Sequence, residues 1–290
     1  MTYRFFVRNL YIFPFVLLIW NHSWSQKTYN IVDFKDQHVL YTDIGISPAP
    51  FNLYYPFTSE IRSLKYKNNF KPILGLAYAY KWFSLRLAIP VMPGFRNEAR
   101  FGRTQQFSLG FDYNFKRLYT DFDFRINTGY AIKNALNYDS AFTDANPNDI
   151  MPNLGSLNLS VNLWYFNHDD FKMNALQGKR NGEVHTWYLK GTLNFFGITN
   201  DKNSIIPDAL IDVNHSKTGS SAFSSLDFGV IPGYAYANRI NRWQFSGWAG
   251  IGPVIQSKFF VLSDNLNGFL GLAPRYDIRF VGGYSSDQRF

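Results

Sequence analysis

The segment Asn214-His215-Ser216 carries the residue types of a serine hydrolase. A serine hydroxyl becomes a nucleophile when a histidine within hydrogen-bond reach takes its proton and an acidic residue orients that histidine. His215 and Ser216 are neighbours in sequence, and neighbours on a strand point in opposite directions. Only Asp208 and Asp212 lie near enough in sequence to act as the acid. A solvated, hydroxyl-rich loop explains the same residues, so we assign no catalytic residue and keep lipid hydrolysis as an alternative function.

Two acidic segments have the residue types of a metal site but not its spacing. Asp139, Asp144 and Asp149 are five residues apart, whereas calcium needs several oxygen ligands at close and regular spacing. In His168-Asp169-Asp170 the residues are adjacent, and adjacent residues rarely converge on one ion. The absence of cysteine excludes disulfides, thiolate zinc sites and thiol catalysis. The sequence therefore predicts no metal site and no cofactor.

A third set of charged residues falls on the polar side of segments in which polar and apolar residues alternate. We expect these residues to project into one interior and to line its lumen: Lys81, Arg86, Asp112, Asp121, Asp123, Arg125, Lys190, Asp227, Arg242, Arg275, Asp277 and Arg279. Mixed signs at this density indicate either an ion-paired plug or a hydrated passage. The elements that carry these residues decide between the two.

These elements have the period of two that is typical of β-strands. In 107–115, for example, Phe107 and Leu109 point one way, while Ser108 and Gly110 point the other. The clearest segments are 107–115, 121–130, 156–165 and 187–195, and weaker ones are 74–82, 83–89, 226–236, 242–255 and 270–280. We find no convincing helical segment after residue 25. The sequence therefore predicts an all-β protein of about 10–12 antiparallel strands in up-and-down order.

The apolar faces of these strands could meet a second sheet or lipid. Three features favour lipid: strands of about 9–11 residues, which is the length of a tilted spanning strand; small and charged residues together on the opposite face; and Tyr or Trp near the strand ends, as in an interfacial girdle. The girdle candidates are Tyr80, Trp82, Tyr113, Tyr165, Trp187, Tyr236 and Trp243. We therefore predict a single transmembrane β-barrel, with an exported soluble β-domain as the alternative. In a barrel of this size little room remains inside, which favours the plug.

The connections between predicted strands differ in length, as they do in such barrels. The junctions at Trp82-Phe83 and at 115–118 are short enough for periplasmic turns. The segments predicted as external loops are longer and polar: 92–104, 131–155, 167–183, 197–223 and 257–268. No linker divides the chain, so residues 26–290 form one predicted domain.

Residues 1–25 have the pattern of a cleaved signal peptide. Arg4 and Arg8 precede an apolar run of 11 residues, Leu10–Trp20, and Ser23-Trp24-Ser25 supplies small residues at a cleavage site before Gln26. An uncleaved anchor helix is the alternative. Removing the two arginines lowers the formal net charge from +8 to +6. Because lysine and arginine never form a run of three, we interpret this excess as dispersed charge and expect no nucleic-acid partner.

Short segments spread from about Tyr29 to Phe290 resemble one known family. They include Leu64-Lys65-Tyr66-Lys67-Asn68-Asn69, Pro72-Ile73-Leu74-Gly75-Leu76, Tyr80-Lys81-Trp82, Gly102-Arg103-Thr104, Gly129-Tyr130, Leu157-Asn158-Leu159, Trp164-Tyr165-Phe166-Asn167, Ser204-Ile205-Ile206-Pro207, Gly233-Tyr234-Ala235-Tyr236 and Gly283-Tyr284. In their order they resemble an uncharacterised domain-of-unknown-function family of predicted outer-membrane β-barrel proteins of Gram-negative bacteria. The resemblance implies a barrel fold and supplies no activity, cofactor or catalytic residue.

One feature departs from that resemblance. Relatives usually continue past the Gly-Tyr pair with another strand or hairpin. Phe290 suits recognition by the barrel-assembly machinery, but Gln288 and Ser286 stand where that signal has apolar residues. We therefore expect either a longer natural chain or a closing strand at 270–280.

These observations predict a location and a class of function. We expect a protein of the outer membrane of a Gram-negative bacterium, with outer-membrane lipid and the barrel-assembly machinery as partners. Its predicted role is structural or in interactions, with a largely occluded lumen. A small-solute channel and an outer-membrane lipid hydrolase are the alternative functions.

Overall fold

The structure is a computed structural model that describes residues 38–55, 57–58, 60–115, 117–168, 171, 183–201, 203–212, 216–240, 243–261 and 266–284. The predicted signal peptide therefore lies outside the described residues. The segment from Ile31 to Phe290 forms one compact unit. Within the described ranges, no helix is both long and apolar enough to cross a membrane.

Twelve strands form one sheet in which each recorded pair is antiparallel. They are β1 (Val39–Ile46), β2 (Phe51–Tyr54), β3 (Ser63–Lys67), β4 (Pro72–Tyr80), β5 (Phe83–Pro90), β6 (Gln105–Phe115), β7 (Leu118–Ile132), β8 (Asp149–Phe166), β9 (Val184–Thr199), β10 (Ala222–Ile240), β11 (Trp243–Val261) and β12 (Leu266–Tyr284). The short helix α1 (Glu98–Phe101) and 3₁₀ turns at Ala135–Asn137, Asp208–Leu210 and Ser216–Gly219 lie in the connections.

The strands of the main path follow chain order, β1-β4-β5-β6-β7-β8-β9-β10-β11-β12. The remaining two form a β2–β3 hairpin, which joins the sheet where Tyr66 and Lys67 pair with the end of β7. This arrangement confirms the predicted all-β, antiparallel, up-and-down architecture and the predicted strand number. The chain therefore turns back at every connection of the main path.

Up-and-down order gives the sheet two ends, which we call the turn end and the loop end. The turn end has two-residue connections at 81–82, 116–117 and 241–242. The loop end has the longer connections at 91–104, 133–148, 200–221 and 262–265. The connection 167–183 was predicted to lie with the long external loops. That grouping is wrong, because the connection between β8 and β9 must lie at the turn end. Length alone misled the prediction, because the predicted strands 121–130 and 156–165, counted from the short junction at 115–118, already place this connection at the turn end.

The predicted strands correspond to β4–β12, and β1, β2 and β3 were not predicted. The hairpin strands have only four and five residues, too few to show alternation. The strands β10, β11 and β12 each run for 19 residues, so that the predicted loop 257–268 shrinks to 262–265. Tyr80 ends β4, because Lys81 turns the chain with a φ of 53°.

Alternation gives the sheet an inner face, which is largely buried, and an outer face, which is exposed. On β9 and β10, for example, inner-face Asn194 and Ser225 are buried, while outer-face Leu193, Leu226 and Phe228 are 44%, 44% and 57% exposed. Exposed apolar residues continue around the outer face: Leu74, Leu76, Leu87, Ile89, Phe107, Phe111, Leu163, Leu189, Val230, Ile251, Ile255, Leu272 and Ile278. Large exposed apolar residues thus dominate the outer face, where a soluble protein would carry mainly polar residues.

Candidate functional site

The inner face carries most of the charged residues that were predicted to line a lumen. By strand register and alternation these are Arg86, Asp112, Asp121, Asp123, Arg125, Lys190, Asp227, Arg275, Asp277 and Arg279. Lys81 is an exception, because it is exposed in the turn between β4 and β5, with its ammonium 5.1 Å from the Tyr80 ring centroid. Arg242 lies outside the described residues.

Asp277 on β12 is the centre of a buried polar network. Its carboxylate forms an ion pair with Lys190 Nζ at 3.2 Å, and both side chains are nearly buried, at 13% and 12% exposure. Trp164 Nε1 and Tyr188 Oη donate hydrogen bonds to the same carboxylate at 3.3 and 3.2 Å. Lys190 Nζ also lies 4.4 Å from the Trp164 ring centroid. Three donors from β8 and β9 thus hold one acceptor on β12.

This network requires the sheet to curl. In sheet order two strands, β10 and β11, separate β9 from β12. Neighbouring strands lie about 4.8 Å apart, so a flat sheet would separate Lys190 from Asp277 by about three such spacings. The observed distance of 3.2 Å between their charged groups therefore places the inner faces of β9 and β12 opposite each other.

Glycines on the intervening strands make room for Tyr188, which is 1% exposed. A Cβ added at Gly233 would overlap the Tyr188 phenol, and one at Gly250 would come within 2.6 Å of its oxygen. The glycines therefore allow the ring to lie across β10 and β11 on the inner face.

Around this network lies an apolar group that we call the turn-end cluster. Its buried members are Trp164, Phe166, Phe171, Val184, Tyr188, Ala235, Ala237 and Trp248, with Tyr119 packed against them. The Phe166 and Phe171 ring centroids are 4.7 Å apart. The Arg279 guanidinium lies 5.3 Å from the Trp248 ring centroid. Bulky side chains from β7 to β11 therefore fill the inner face near the turn end.

Other charges on the inner face are also partnered. Arg86 Nε and Nη2 donate to the two oxygens of Asp43 at 2.8 and 2.6 Å. Arg125 Nε lies 2.6 Å from Asp123 Oδ1. Asp43 was not predicted, because the short strand β1 that carries it was not recognised.

Two further aspartates accept hydrogen bonds from neutral groups. Asn162 donates to Asp121 at 2.9 Å, and Ser225 donates to Asp227 at 2.6 Å. Gln256 also donates to Asp227 at 3.3 Å. Arg86, Arg125 and Lys190 thus have ion-pair partners, and Asp121 and Asp227 accept from amide and hydroxyl groups, whereas Arg275 Nη1 is buried without a hydrogen-bond partner among the described residues.

A second apolar group, the loop-end cluster, fills the opposite end. Its buried members are Leu53, Leu64, Tyr66, Tyr130, Ile132, Leu154, Ile198, Ile205, Ile206 and Leu210. The hairpin β2–β3 and the connection 200–221 supply about half of them, so the long connections are packed elements. Tyr66 Oη donates to Ile205 O at 2.7 Å, and the Phe51 ring stacks on Tyr66 with centroids 4.4 Å apart. Burial raises the pKa of the Tyr66 phenol far above its ordinary value, so this group stays protonated as a donor.

Asn69 fixes the connection 91–104 beside this cluster. Its Nδ2 donates to Arg96 O at 3.0 Å and to Gly102 O at 3.1 Å, while its Oδ1 accepts from Arg96 N at 3.0 Å. The Asn69 N–H donates to Thr104 Oγ1 at 2.8 Å, and that hydroxyl donates to Gly129 O at 2.8 Å. Asn69 was not singled out as a site residue, although it ends a segment that carries the family resemblance.

A β-bulge at Gly129 aims Tyr130 inward. The register between β7 and β8 shifts between Thr128 and Tyr130, and Gly129 has a φ of 92°. Alternation ends there, because Tyr130, Ala131 and Ile132 are all buried, and the Tyr130 hydroxyl lies 2.6 Å from Ser156 Oγ. Four resemblance segments, which contain Tyr66, Thr104, Tyr130 and Ile205, thus meet at the loop end.

The segment with a hydrolase pattern is only partly described. His215 lies outside the described residues, as do the side chain of Ser216 and the pair Asp169-Asp170. The structure therefore gives no distance between His215 and Ser216 with which to test the catalytic hypothesis. Among the described residues, no group of three or more histidine, aspartate or glutamate side chains could hold a metal ion.

Comparisons with known proteins point in the same direction as the resemblance. A family model described as a domain of unknown function (DUF4421) matches residues 40–290. No significant match was found among curated proteins or among solved structures. The match spans every strand of the sheet except the first residue of β1, and it confirms the resemblance to a domain-of-unknown-function family. The chain therefore belongs to the family defined by this domain, DUF4421.

Proposed function

We propose that the protein is a β-barrel of the Gram-negative outer membrane with a largely occluded lumen and a structural or interaction role. The main support for this proposal is the amino-acid composition of the outer face. In the described strands β9 to β12, no aspartate, glutamate, lysine or arginine occupies an outer-face position. A wide exposed apolar surface is a liability in water and is the surface that lipid requires.

Aromatic residues support the orientation of this barrel. Each of the predicted girdle residues lies on the outer face or in the turn at the turn end: Tyr80, Trp82, Tyr113, Tyr165, Trp187, Tyr236 and Trp243. The three Trp side chains are about half exposed. Tyr and Trp favour the membrane interface because their rings are apolar and their tips polar. The turn end is then the periplasmic end, where short connections are usual.

Closure of the barrel follows from the same proposal. Among the described residues, β1 pairs only with β4 and β12 pairs only with β11. The two edge strands run in opposite directions, because they are the first and the last of ten successive antiparallel strands. An unpaired edge is not tolerated in the hydrocarbon region of a membrane. We therefore infer that β1 and β12 pair with each other in lipid.

The proposal of an occluded lumen is based on the side chains of the inner face. The turn-end cluster, which surrounds the Asp277 network, and the loop-end cluster lie toward opposite ends of the inner face, and each contains side chains that are almost fully buried. A water-filled passage would expose such residues. The hydrated-passage alternative therefore has less support than the plug.

Single-cysteine labelling tests the membrane assignment, because the native chain has no cysteine. Leu109 and Phe111 lie on the outer face of β6, and Gly110 and Asp112 lie on its inner face. We expect cysteines at 109 and 111 to react with a lipid-soluble maleimide in intact membranes. Cysteines at 110 and 112 should resist a water-soluble maleimide until the protein is unfolded. Cysteines at 109 and 111 that react only after unfolding would contradict the barrel.

Fractionation and planar-bilayer conductance complete the test. The protein should be recovered from the outer membrane with Gln26 as its first residue. Reconstituted protein should give little steady conductance. Steady ion-selective conductance would support the small-solute channel, and recovery of folded protein from the soluble periplasm would overturn the membrane proposal.

A further inference from the structure

The outer face of β11 contains an apolar trough. Gly247 and Ala249 form its floor, while Phe245 and Ile251 are large side chains at the two ends of this row. The cavity measures about 440 Å³. Pockets that hold small molecules range from about 300 to 1,000 Å³, so the trough has the size of a ligand site.

Neighbouring strands provide aromatic walls. Gly247 lies between Tyr236 of β10 and Phe280 of β12 in the strand register, and Ala249 lies beside Tyr234. All five residues line the cavity. The Phe280 ring leans toward Gly247, since a Cβ added there would lie 2.9 Å from it. The trough is therefore a narrow apolar groove that runs parallel to β11, between the tyrosines of β10 and Phe280.

Polar partners fix one wall at the turn end. His185 Nδ1 is hydrogen-bonded to Tyr234 Oη, and Asn238 Nδ2 donates to Tyr236 Oη at 3.0 Å. His185 and Asn238 are themselves on the outer face, next to the tyrosines. The trough therefore has a polar rim toward the turn end and an apolar lining along Gly247 and Ala249.

We propose that this trough binds one glycerophospholipid, with an acyl chain along Gly247 and Ala249 and the phosphate headgroup near His185 and Asn238. The inference rests on the proposed function, since it requires the outer face to lie in a membrane. An amphipathic ligand matches the surface because polar groups stand at one end only. The rim lies at the level of the aromatic girdle, where headgroups are found.

A second copy of the chain is the competing occupant. A stable protein interface buries about 1,200–2,000 Å² in total. The trough is a narrow depression in a surface that is apolar in every direction, so its shape selects a chain-like ligand rather than a broad protein face. Lipid is also the continuous neighbour of the surrounding outer face in the proposed barrel.

Photocross-linking in nanodiscs tests the site. The probe is phosphatidylethanolamine with a diazirine in its acyl chain, and mass spectrometry maps the cross-links. Gly282→Leu and Ala249→Leu each fill the trough. A Cβ at Gly282 would contact only the Phe245 ring at 3.9 Å, so this variant should fold without strain. Gly191→Leu is the matched control, because Gly191 is on the outer face of β9 with its nearest neighbour atom at 4.0 Å.

We expect cross-links to concentrate several-fold on β10 and β11 around the trough in the native protein. Both filling variants should lose this enrichment, and Gly191→Leu should keep it. Even cross-linking of all outer-face strands would overturn the lipid site while leaving the membrane barrel intact. A native protein that is dimeric in detergent and lacks lipid cross-links at the trough, with Gly282→Leu monomeric, would show a dimer interface instead. Failure of the protein to enter nanodiscs would overturn the proposed function itself.

Discussion

Lys190 on β9 and Asp277 on β12 form an ion pair across the inner face, although β10 and β11 lie between these two strands in the sheet. Asp277 accepts two further hydrogen bonds, from Trp164 and Tyr188. The carboxylate therefore links β8, β9 and β12 at one point. A substitution there removes contacts that no backbone pairing replaces.

Asp277→Ala should destabilise the protein by about 3–5 kcal/mol, because it leaves the Lys190 ammonium buried without its counter-ion. The measurement is urea unfolding of the refolded protein in detergent or lipid, followed by tryptophan fluorescence. Asp123→Ala is the control, since its partner Arg125 is 44% exposed and such pairs contribute about 0–1 kcal/mol. Equal losses in the two variants would contradict a buried central network.

Charge should be tolerated differently on the two faces of β6. Leu109→Arg places a cation on the outer face, where lipid would raise the cost to about 2–4 kcal/mol near the bilayer centre. Asn114→Arg enters the inner face near the turn end and should cost much less. Unfolding in lipid compares the two variants. A larger loss for Asn114→Arg would show that the assignment of the faces is reversed.

Gly129→Ala should be strongly destabilising, by about 1–3 kcal/mol or more. The residue has a φ of 92°, and an added Cβ would overlap Arg103 O. Gly271→Ala is the control, because it has no neighbouring atom within 4 Å. Thermal unfolding should separate the two variants clearly. A mild effect at Gly129 would mean that the β7 bulge relaxes.

Tyr66→Phe tests whether the loop-end cluster is a packed plug. The variant leaves Ile205 O without its hydroxyl donor, at a cost of about 1–3 kcal/mol for a buried carbonyl. We expect faster proteolysis within 200–221 in the folded protein. Tyr54→Phe should have no effect, since Tyr54 is 75% exposed. Unchanged proteolysis in Tyr66→Phe would contradict the plug.

Sequence periodicity predicts strands β4–β12 well because each has one largely buried and one exposed face, and this difference enforces alternation over many residues. The same alternation assigns Arg86, Lys190 and Asp277 to the inner face. It also places Tyr188 beside Lys190 on that face, although a large aromatic residue among polar ones was not recognised as a plug residue.

The partners of these residues could not be predicted, because they depend on how the sheet curls. Nothing in the local sequence brings Trp164 to Asp277, which is 113 residues away. The hairpin β2–β3 was missed for a related reason. Its short strands are stabilised by the loop-end cluster, whose members come from distant parts of the chain.

The position of Asp277 also dictates an order of assembly. The acceptor that unites Trp164, Tyr188 and Lys190 is on β12, the last strand of the described chain. Contacts over such long sequence separations form late, because the chain between them must be ordered first. The earlier strands can pair as hairpins while their interior is still wet. When β12 pairs last, Asp277 completes the network with Trp164, Tyr188 and Lys190, and water leaves the inner face as these side chains pack.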